Sequence, residues 1–325
     1  MTFDVFKLYF RTPLHLSRGK QNTYADSNPT LHSDTLKSAI FATAVELYGA
    51  EIANEEFFKQ FWLSSAFPFV GNEFYFPKPL GFSPKVSAVQ RKEVKKSQYL
   101  PLTLFERVLR NDPSIAAADL LNKEGKANNP TIFKRFLTQR VQINEQESTP
   151  FYIDKLYPQE GDQGLYFIVQ HNGVGETLLQ KLVGILHLLG DNGLGLQRKL
   201  GNGQFRCERS TLTLDSPSQA NASLSLSLYL PTEVEFDTFN WMASCCDFTQ
   251  RGGWISSPQD EERLSIRKRS RYFFTEGSVF VRTDGQTTSS LGHYADFSPE
   301  LPRGIEPIAH PVWRDGRAAL IPICI

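Results

Sequence analysis

The sequence has no excess of charge: 35 lysines and arginines meet 35 aspartates and glutamates over 325 residues. A general electrostatic attraction to polyanions is thereby excluded, and any grip on nucleic acid must come from local clusters. Cysteine is scarce. Cys207, Cys245, Cys246 and Cys324 form no C-x-x-C pair, and a vicinal pair is a poor start for a disulfide framework, which suits a reducing cytoplasm. Nothing approaches a run of about eighteen apolar residues, and the opening MTFDVFKLYF has an early acid and no long apolar core, so neither a membrane span nor an export signal is expected. H-E-x-x-H, spaced Cys/His clusters and dense carboxylate groups are also missing, so no metal or other cofactor is expected. What is there is an ordinary globular composition, 40% hydrophobic and 22% charged, long enough for two packed domains.

The chain is organised around residues 193–205, GLGLQRKLGNGQF. Gly193, Gly195, Gly201 and Gly203 bracket the cations Arg198 and Lys199. Glycine permits positive φ and close approach of a ligand to backbone amides, and bare amides beside two cations suit phosphate. LYFIVQ (165–170) reads as a strand, Leu178, Leu179, Leu182, Val183, Leu186 and Leu189 recur at helical spacing, and 205–214 reads as another strand. The glycines thus follow a helix, whereas a dinucleotide fingerprint precedes one, and G-x-x-x-x-G-K-[ST] is absent. Nucleotide-cofactor readings are therefore weak.

Upstream, residues 3–10 carry bulk on both faces and read as a central strand; 17–32 is polar and reads as a loop. Ser33 reads as an N-cap and Asp34 as a first-turn acid for a helix with Leu36, Ile40, Thr43, Ala44 and Leu47 on one side. Strand, loop and helix open a ferredoxin-like βαββαβ unit, which the pattern at 165–214 closes.

The glycine stretch resembles the loop of RAMP proteins, the repeat-associated RNA-binding subunits of CRISPR effector complexes, of the form G-x-G-G-K-R-x-x-G-x-G-x-F. Gly193, Gly195, Arg198, Gly201, Gly203 and Phe205 match in register, while Leu196-Gln197 and Lys199-Leu200 depart from the usual residues. Thr12-Pro13-Leu14-His15-Leu16, Ser33-Asp34-Thr35-Leu36, Arg251-Gly252-Gly253-Trp254, Glu276 to Phe280 and His310-Pro311-Val312-Trp313 are similar to the RAMP subunit that caps type III-A complexes, the fourth of the Csm complex. The resemblance implies a non-catalytic scaffold that binds the 5′ handle of the CRISPR guide RNA and docks the large polymerase-type subunit and the backbone RAMP subunit. It implies two ferredoxin-like (RRM-like) α+β domains with inserted loops or a hairpin, at residues 1–215 and 222–325.

Beyond the loop, candidate RNA contacts fall in several places. Lys85, Arg91, Lys92, Lys95 and Lys96 lie in a basic, proline-containing segment (72–110) that reads as an inserted hairpin or arm, although such runs are more often solvated faces. Arg140, near Asn144, fits loosely an Arg…Asn pair that the RAMP family has ahead of a strand hairpin; an unliganded surface strand fits the residues equally. SPSQANAS (216–223) reads as a linker, and SLSLSLYLP as a half-buried strand with leucines inward and serines outward. Trp254, with Arg251 and the run Arg267-Lys268-Arg269-x-Arg271 in the same domain, can stack a base or pack in a core, and buried packing is the commoner fate of a tryptophan.

The alternative function is a metal-independent CRISPR-transcript endoribonuclease of the same superfamily. A histidine would serve it as acid or base, making His15 and His32, with Tyr24 nearby, the residues to consider. His15 sits in a motif that non-cleaving relatives share, so an RNA-contacting or structural role for it is preferred.

Overall fold

The computed structural model describes residues 1–17, 25–52, 54–84, 86–143, 148–171, 173, 175–255, 266–288, 290–301 and 311–325. It is a mixed α+β fold built on antiparallel sheets. In the first half, strand β1 (Thr2–Phe10) leads to helix α1 (Ser33–Tyr48), and after the short helix α2 (Glu55–Lys59) come β2 (Phe61–Leu63), β3 (Phe67–Val70) and β4 (Glu73–Pro77). The chain continues through α3 (Ala88–Lys96), β5 (Tyr99–Pro101), α4 (Leu102–Leu109) and α5 (Ala117–Leu120) into a long hairpin of β6 (Phe133–Ile143) and β7 (Ser148–Pro158). Strand β8 (Gln163–His171), helix α6 (Gly175–Asn192) and strand β9 (Phe205–Thr213) complete it.

The principal sheet runs β5-β4-β3-β8-β1-β9, with β2 also on β8. β1 is central, as its two-sided bulk predicts: Phe6 lies opposite Phe167 of β8 and Arg209 of β9. One face is covered by α1 and α6, whose Leu36, Ile40, Leu178, Leu182 and Leu186 pack on Phe6, Leu8 and Phe167. The other face, with Val5, Tyr166 and Ile168, is covered by α4 and by the second half of the chain.

The second half opens on β10 (Ala222–Ser225), followed by α7 (Glu233–Asp237), β11 (Phe248–Arg251), β12 (Arg271–Phe274), β13 (Val279–Phe280), β14 (Ser290–Leu291), β15 (Tyr294–Asp296), β16 (Trp313–Asp315) and β17 (Ala318–Ile323). Its sheet runs β13-β10-β17-β14, with β11-β12 and β15-β16 as separate ribbons. Among the described residues its helix is the five-residue α7 rather than the two long helices of a βαββαβ unit. Leu224, Leu226, Ile321 and Ile323 join the core beneath β1 and β8, so the halves share a hydrophobic interior across the 216–221 connection.

Three local expectations are corrected. Ser223, Ser225 and Ser227 are buried with the leucines, because structure covers both sides of this segment; Ser225 donates its hydroxyl to Ser227 O at 2.8 Å and Ser227 Oγ accepts the Ala319 amide at 2.8 Å. His32, not Ser33, occupies the cap of α1, and the Ser33 hydroxyl instead accepts the Leu228 amide of the other half. Residues 72–110 are no projecting arm: Val94, Leu100, Leu104, Phe105, Val108 and Leu109 are packed into the core. The hairpin lies further on, at β6–β7.

Candidate nucleic-acid interface

The glycine loop joins α6 to β9 and folds back on the segment that follows β1. Gly203 donates its amide to Pro13 O at 2.8 Å, Leu196 to His15 O at 2.9 Å and Leu194 to Gly203 O at 2.9 Å. These approaches leave no room for side chains. A Cβ on Gly203 would stand 1.9 Å from Leu194 O, one on Gly193 2.3 Å from Asn202 O, and one on Gly195 2.5 Å from His15 O. Gly201, at φ +75°, faces open space and is required for its left-handed backbone. Bare amides were expected here. Instead the amides of Gly193, Leu194, Leu196, Leu200, Gly201, Gly203 and Gln204 are spent on protein acceptors, because the glycines permit close packing.

What the loop presents is its tip. Gln197 is left-handed at φ 61°, and Arg198–Leu200 form a single 3-10 turn. Arg198 and Lys199 are both exposed on it.

Under the tip lies the root of the hairpin. Leu14 and Leu156 exchange backbone hydrogen bonds of 2.9 and 2.8 Å, seating His15 against β7 with Nδ1 2.6 Å from Asp154 O. The buried Asp154 carboxylate accepts from Arg135 Nε at 3.1 Å and from the Ser27 amide at 2.8 Å. Burial pushes its pKa up, but the bonds from Arg135 and Ser27 outweigh burial and hold it below the usual value. The next residue, Lys155, donates to Asn202 Oδ1 at 3.2 Å, and Asn202 donates to Gln197 O at 3.2 Å, which ties the hairpin to the tip. Burial, and then the positive charge of Arg140, lower the Lys155 pKa. Arg140 itself is exposed on β6. The loop tip, the Pro13–Leu16 segment and the hairpin root are therefore one hydrogen-bonded unit fringed by Arg198, Lys199 and Arg140. Beyond it the hairpin projects into solvent, with Val141, Tyr152 and Ile143, the last 82% exposed.

Other candidate residues fall elsewhere. Phe205 is buried, its ring 5.5 Å from that of Phe10, and starts β9 from inside. Arg91, Lys92, Lys95 and Lys96 are exposed on α3, beside β5 at the edge of the sheet opposite β9. At about 4.8 Å per strand, roughly 24 Å of sheet separates the two edges. Lys85, Asn144, Tyr24 and His310 lie outside the described residues. Arg251 turns inward, its Nη2 2.9 Å and Nε 3.1 Å from the Asp34 carboxylate. Arg314 Nη1 reaches the same carboxylate at 3.3 Å. Burial favours a neutral Asp34, yet Arg251 and Arg314 hold its pKa far below the carboxylate range. An RNA contact for Arg251 is accordingly replaced by a buried ion pair that joins the halves. His32 is engaged on both ring nitrogens, Nδ1 2.7 Å from Glu276 Oε1 and Nε2 3.0 Å from Asn28 Nδ2. Among the described residues, no group of His, Cys, Asp and Glu is placed to hold a metal ion, and no helix is long and apolar enough to cross a membrane.

The Asp154–Arg135–Ser27 node and the Lys155–Asn202 link were not anticipated. Their trace in the sequence is the charged pair Asp154-Lys155 set between Ile153 and Leu156. Such a pair inside an apolar strand needs partners.

Residues 218–323 match the family model of the CRISPR Csm4 C-terminal domain. A Csm4 of Thermococcus onnurineus is 27% identical over 301 residues, covering 84% of this chain and 93% of its own. One of Methanocaldococcus jannaschii is 23% identical over 385 residues, covering 99% and 97%. The chain is thus similar to Csm4 proteins over most of its length, and its C-terminal third matches their C-terminal domain. Solved structures of the same fold include a chain of the Csm3–Csm4 subcomplex in the type III-A CRISPR-Cas interference complex, with TM-score 0.66, 18% identity and 100% of both chains covered. A chain of a Csm1–Csm4 cassette in complex with pppApA matches with TM-score 0.59 and 19% identity, over 99% of this chain and 98% of that one.

Proposed function

We propose that this chain is a Csm4, a non-catalytic scaffold of a type III-A CRISPR effector complex, and that the unit of loop tip, Pro13–Leu16 segment and hairpin root seats the 5′ handle of the guide RNA. The observation that carries the reading is the convergence on one surface of Arg198, Lys199 and Arg140 around a rigid, interlocked backbone. In a chain with no net charge, such a local cluster is what can hold phosphates. Splayed bases of a single strand would then be read along the adjoining segment and hairpin.

The structures that this fold resembles were solved as a Csm1–Csm4 cassette and a Csm3–Csm4 subcomplex. That supports docking of a large polymerase-type subunit and a backbone RAMP subunit by this chain. In this reading residues 1–215 are a ferredoxin-like domain, supported by the order β9-β1-β8-β3 with α1 and α6 on one face. Residues 222–325 are the second unit.

Absence of catalysis is supported by the placement of the two candidate histidines. His15 is buried against β7 and His32 is locked between Glu276 and Asn28, so neither offers a free imidazole to a phosphodiester at the Arg198 turn.

Replacing Arg198 and Lys199 together by alanine tests the seat. Guide RNA retention should fall, and the slope of log affinity against log salt should shrink by about 1.4 if each cation neutralises one phosphate of a single strand. An unchanged slope and affinity would remove the seat from this loop. Metal-free incubation with repeat RNA tests the endoribonuclease alternative; specific cuts abolished by His15→Ala or His32→Ala would replace the scaffold reading.

A further inference from the structure

Trp254 reads from the sequence as more often buried, yet the fold leaves it 52% exposed. The cause is local. Ile255 is buried with Leu228, Phe273 and Phe297, and neighbours in an extended chain point to opposite sides, which turns Trp254 outward. The backbone around it is fixed: Gly252 O accepts from Arg314 Nη2 at 3.4 Å, Gly253 O accepts the Lys268 amide at 2.8 Å, and Ile255 donates to Ile266 O at 3.0 Å. Arg251, at the start of this turn, is anchored on Asp34. The indole is therefore a rigid platform, and holding an aromatic in water on a rigid turn is the preorganisation a stacking site needs.

Among the described residues, an arginine stands beside it. The Arg267 guanidinium lies 4.7 Å from the indole centroid. Arg267 and Arg269 are exposed at alternate positions, a period that places their side chains on one side of an extended chain about 6.6 Å apart, whereas Arg271 leans over the buried Phe297, 5.8 Å from its ring. Arg269 pairs at 3.1 Å with Glu300, whose side chain is 87% exposed, a contact weak enough to exchange for phosphate. Between the two arginines, Lys268 points the other way, and burial and then the charge of Arg314 lower its pKa to about 7.

We infer that Trp254 with Arg267 and Arg269 forms a second seat for single-stranded RNA, in which one base stacks on the indole and the two arginines hold its flanking phosphates. It rests on the RNA-holding function proposed above and extends that function to the C-terminal half. Residues 27–34 join the two places: Ser27 is bonded to Asp154 under the loop tip, and Asp34 to Arg251 beside the Trp254 turn. No more than roughly 25 Å of chain separates Ser27 from Asp34.

The test is ultraviolet crosslinking of the guide in the effector complex purified through a tag on this chain, with crosslinked peptides identified by mass spectrometry. A nucleotide attached at Trp254 is expected. Trp254→Ala should weaken guide binding about 5- to 150-fold, the range for loss of one stacked base, and Trp254→Tyr should restore most of it. Crosslinks at the glycine loop with none at Trp254, together with unchanged binding by Trp254→Ala, would overturn the second seat and leave the first standing. Loss of a protein subunit from Trp254→Ala with the guide retained would overturn it in favour of protein docking. No crosslink anywhere on this chain would overturn both seats.

Discussion

Asp34→Asn is the substitution with the clearest consequence. Asp34 is fully buried, and its carboxylate is the shared counter-charge of Arg251, at 2.9 and 3.1 Å, and of Arg314, at 3.3 Å. An amide of the same shape keeps the packing and removes the charge, stranding two guanidiniums in the interior. Removing one partner of a buried ion pair costs about 3–5 kcal/mol. With an unfolding entropy near 2.1 cal/mol/K per residue, roughly 0.7 kcal/mol/K for a chain of this length, Tm should fall by about 4–7 °C. The pH dependence follows from the same geometry. Burial opposes ionisation of Asp34, but the two arginines hold its folded pKa below the unfolded value, so its stabilisation is fully present above an unfolded pKa of about 3.9 and is lost as pH falls through the folded value. The gap between variant and wild type should therefore stay constant from about pH 7 to about pH 5 and narrow only in stronger acid. Calorimetric melts of both proteins across that range measure it. A Tm within about 1 °C of wild type at neutral pH, or a gap that closes before about pH 5, would refute the assignment of Asp34 as the charge that binds the halves.

The glycine loop makes a paired prediction: Gly203→Ala, whose Cβ would meet Leu194 O at 1.9 Å, should unfold at markedly lower urea than Gly201→Ala, which enters open space and bears only the left-handed penalty of about 1–2 kcal/mol. Equal midpoints would show that the close approach of the two backbones is not what selects glycine. Cysteine reactivity should divide in the same way. Burial pushes the Cys207 thiol up to about 12, so in the native protein at pH 8 iodoacetamide should label exposed Cys245 and spare Cys207, a pattern that mass spectrometry reads directly.

The frame was legible where one physical cause dominates. Two-sided bulk in residues 3–10 predicts a central strand, and the leucines of 178–189 predict α6 with its buried face. The prominence of Arg198 and Lys199 was legible as well, because glycines on either side force a turn. What the glycines do was not, since spacing alone does not distinguish an amide offered to a ligand from one spent on Pro13 or His15. Serine alternation at 223–227 suggested a wet face, but a small hydroxyl can be satisfied by a nearby backbone group and buried. Arg251 read as a ligand contact because its partner, Asp34, lies 217 positions earlier. The lysines of 72–110 suggest a solvated arm, whereas Leu104, Phe105, Val108 and Leu109 carry the i, i+1, i+4, i+5 spacing that marks the buried face of α4.

The interior shared across the 216–221 connection gives the chain a mechanical character. With Val5, Tyr166 and Ile168 on one side and Leu224, Leu226 and Ile321 on the other, neither half has a finished floor of its own. A subunit put together like a keystone, with each block resting on its neighbour, keeps the loop tip and the Trp254 turn in fixed register whatever is assembled around them.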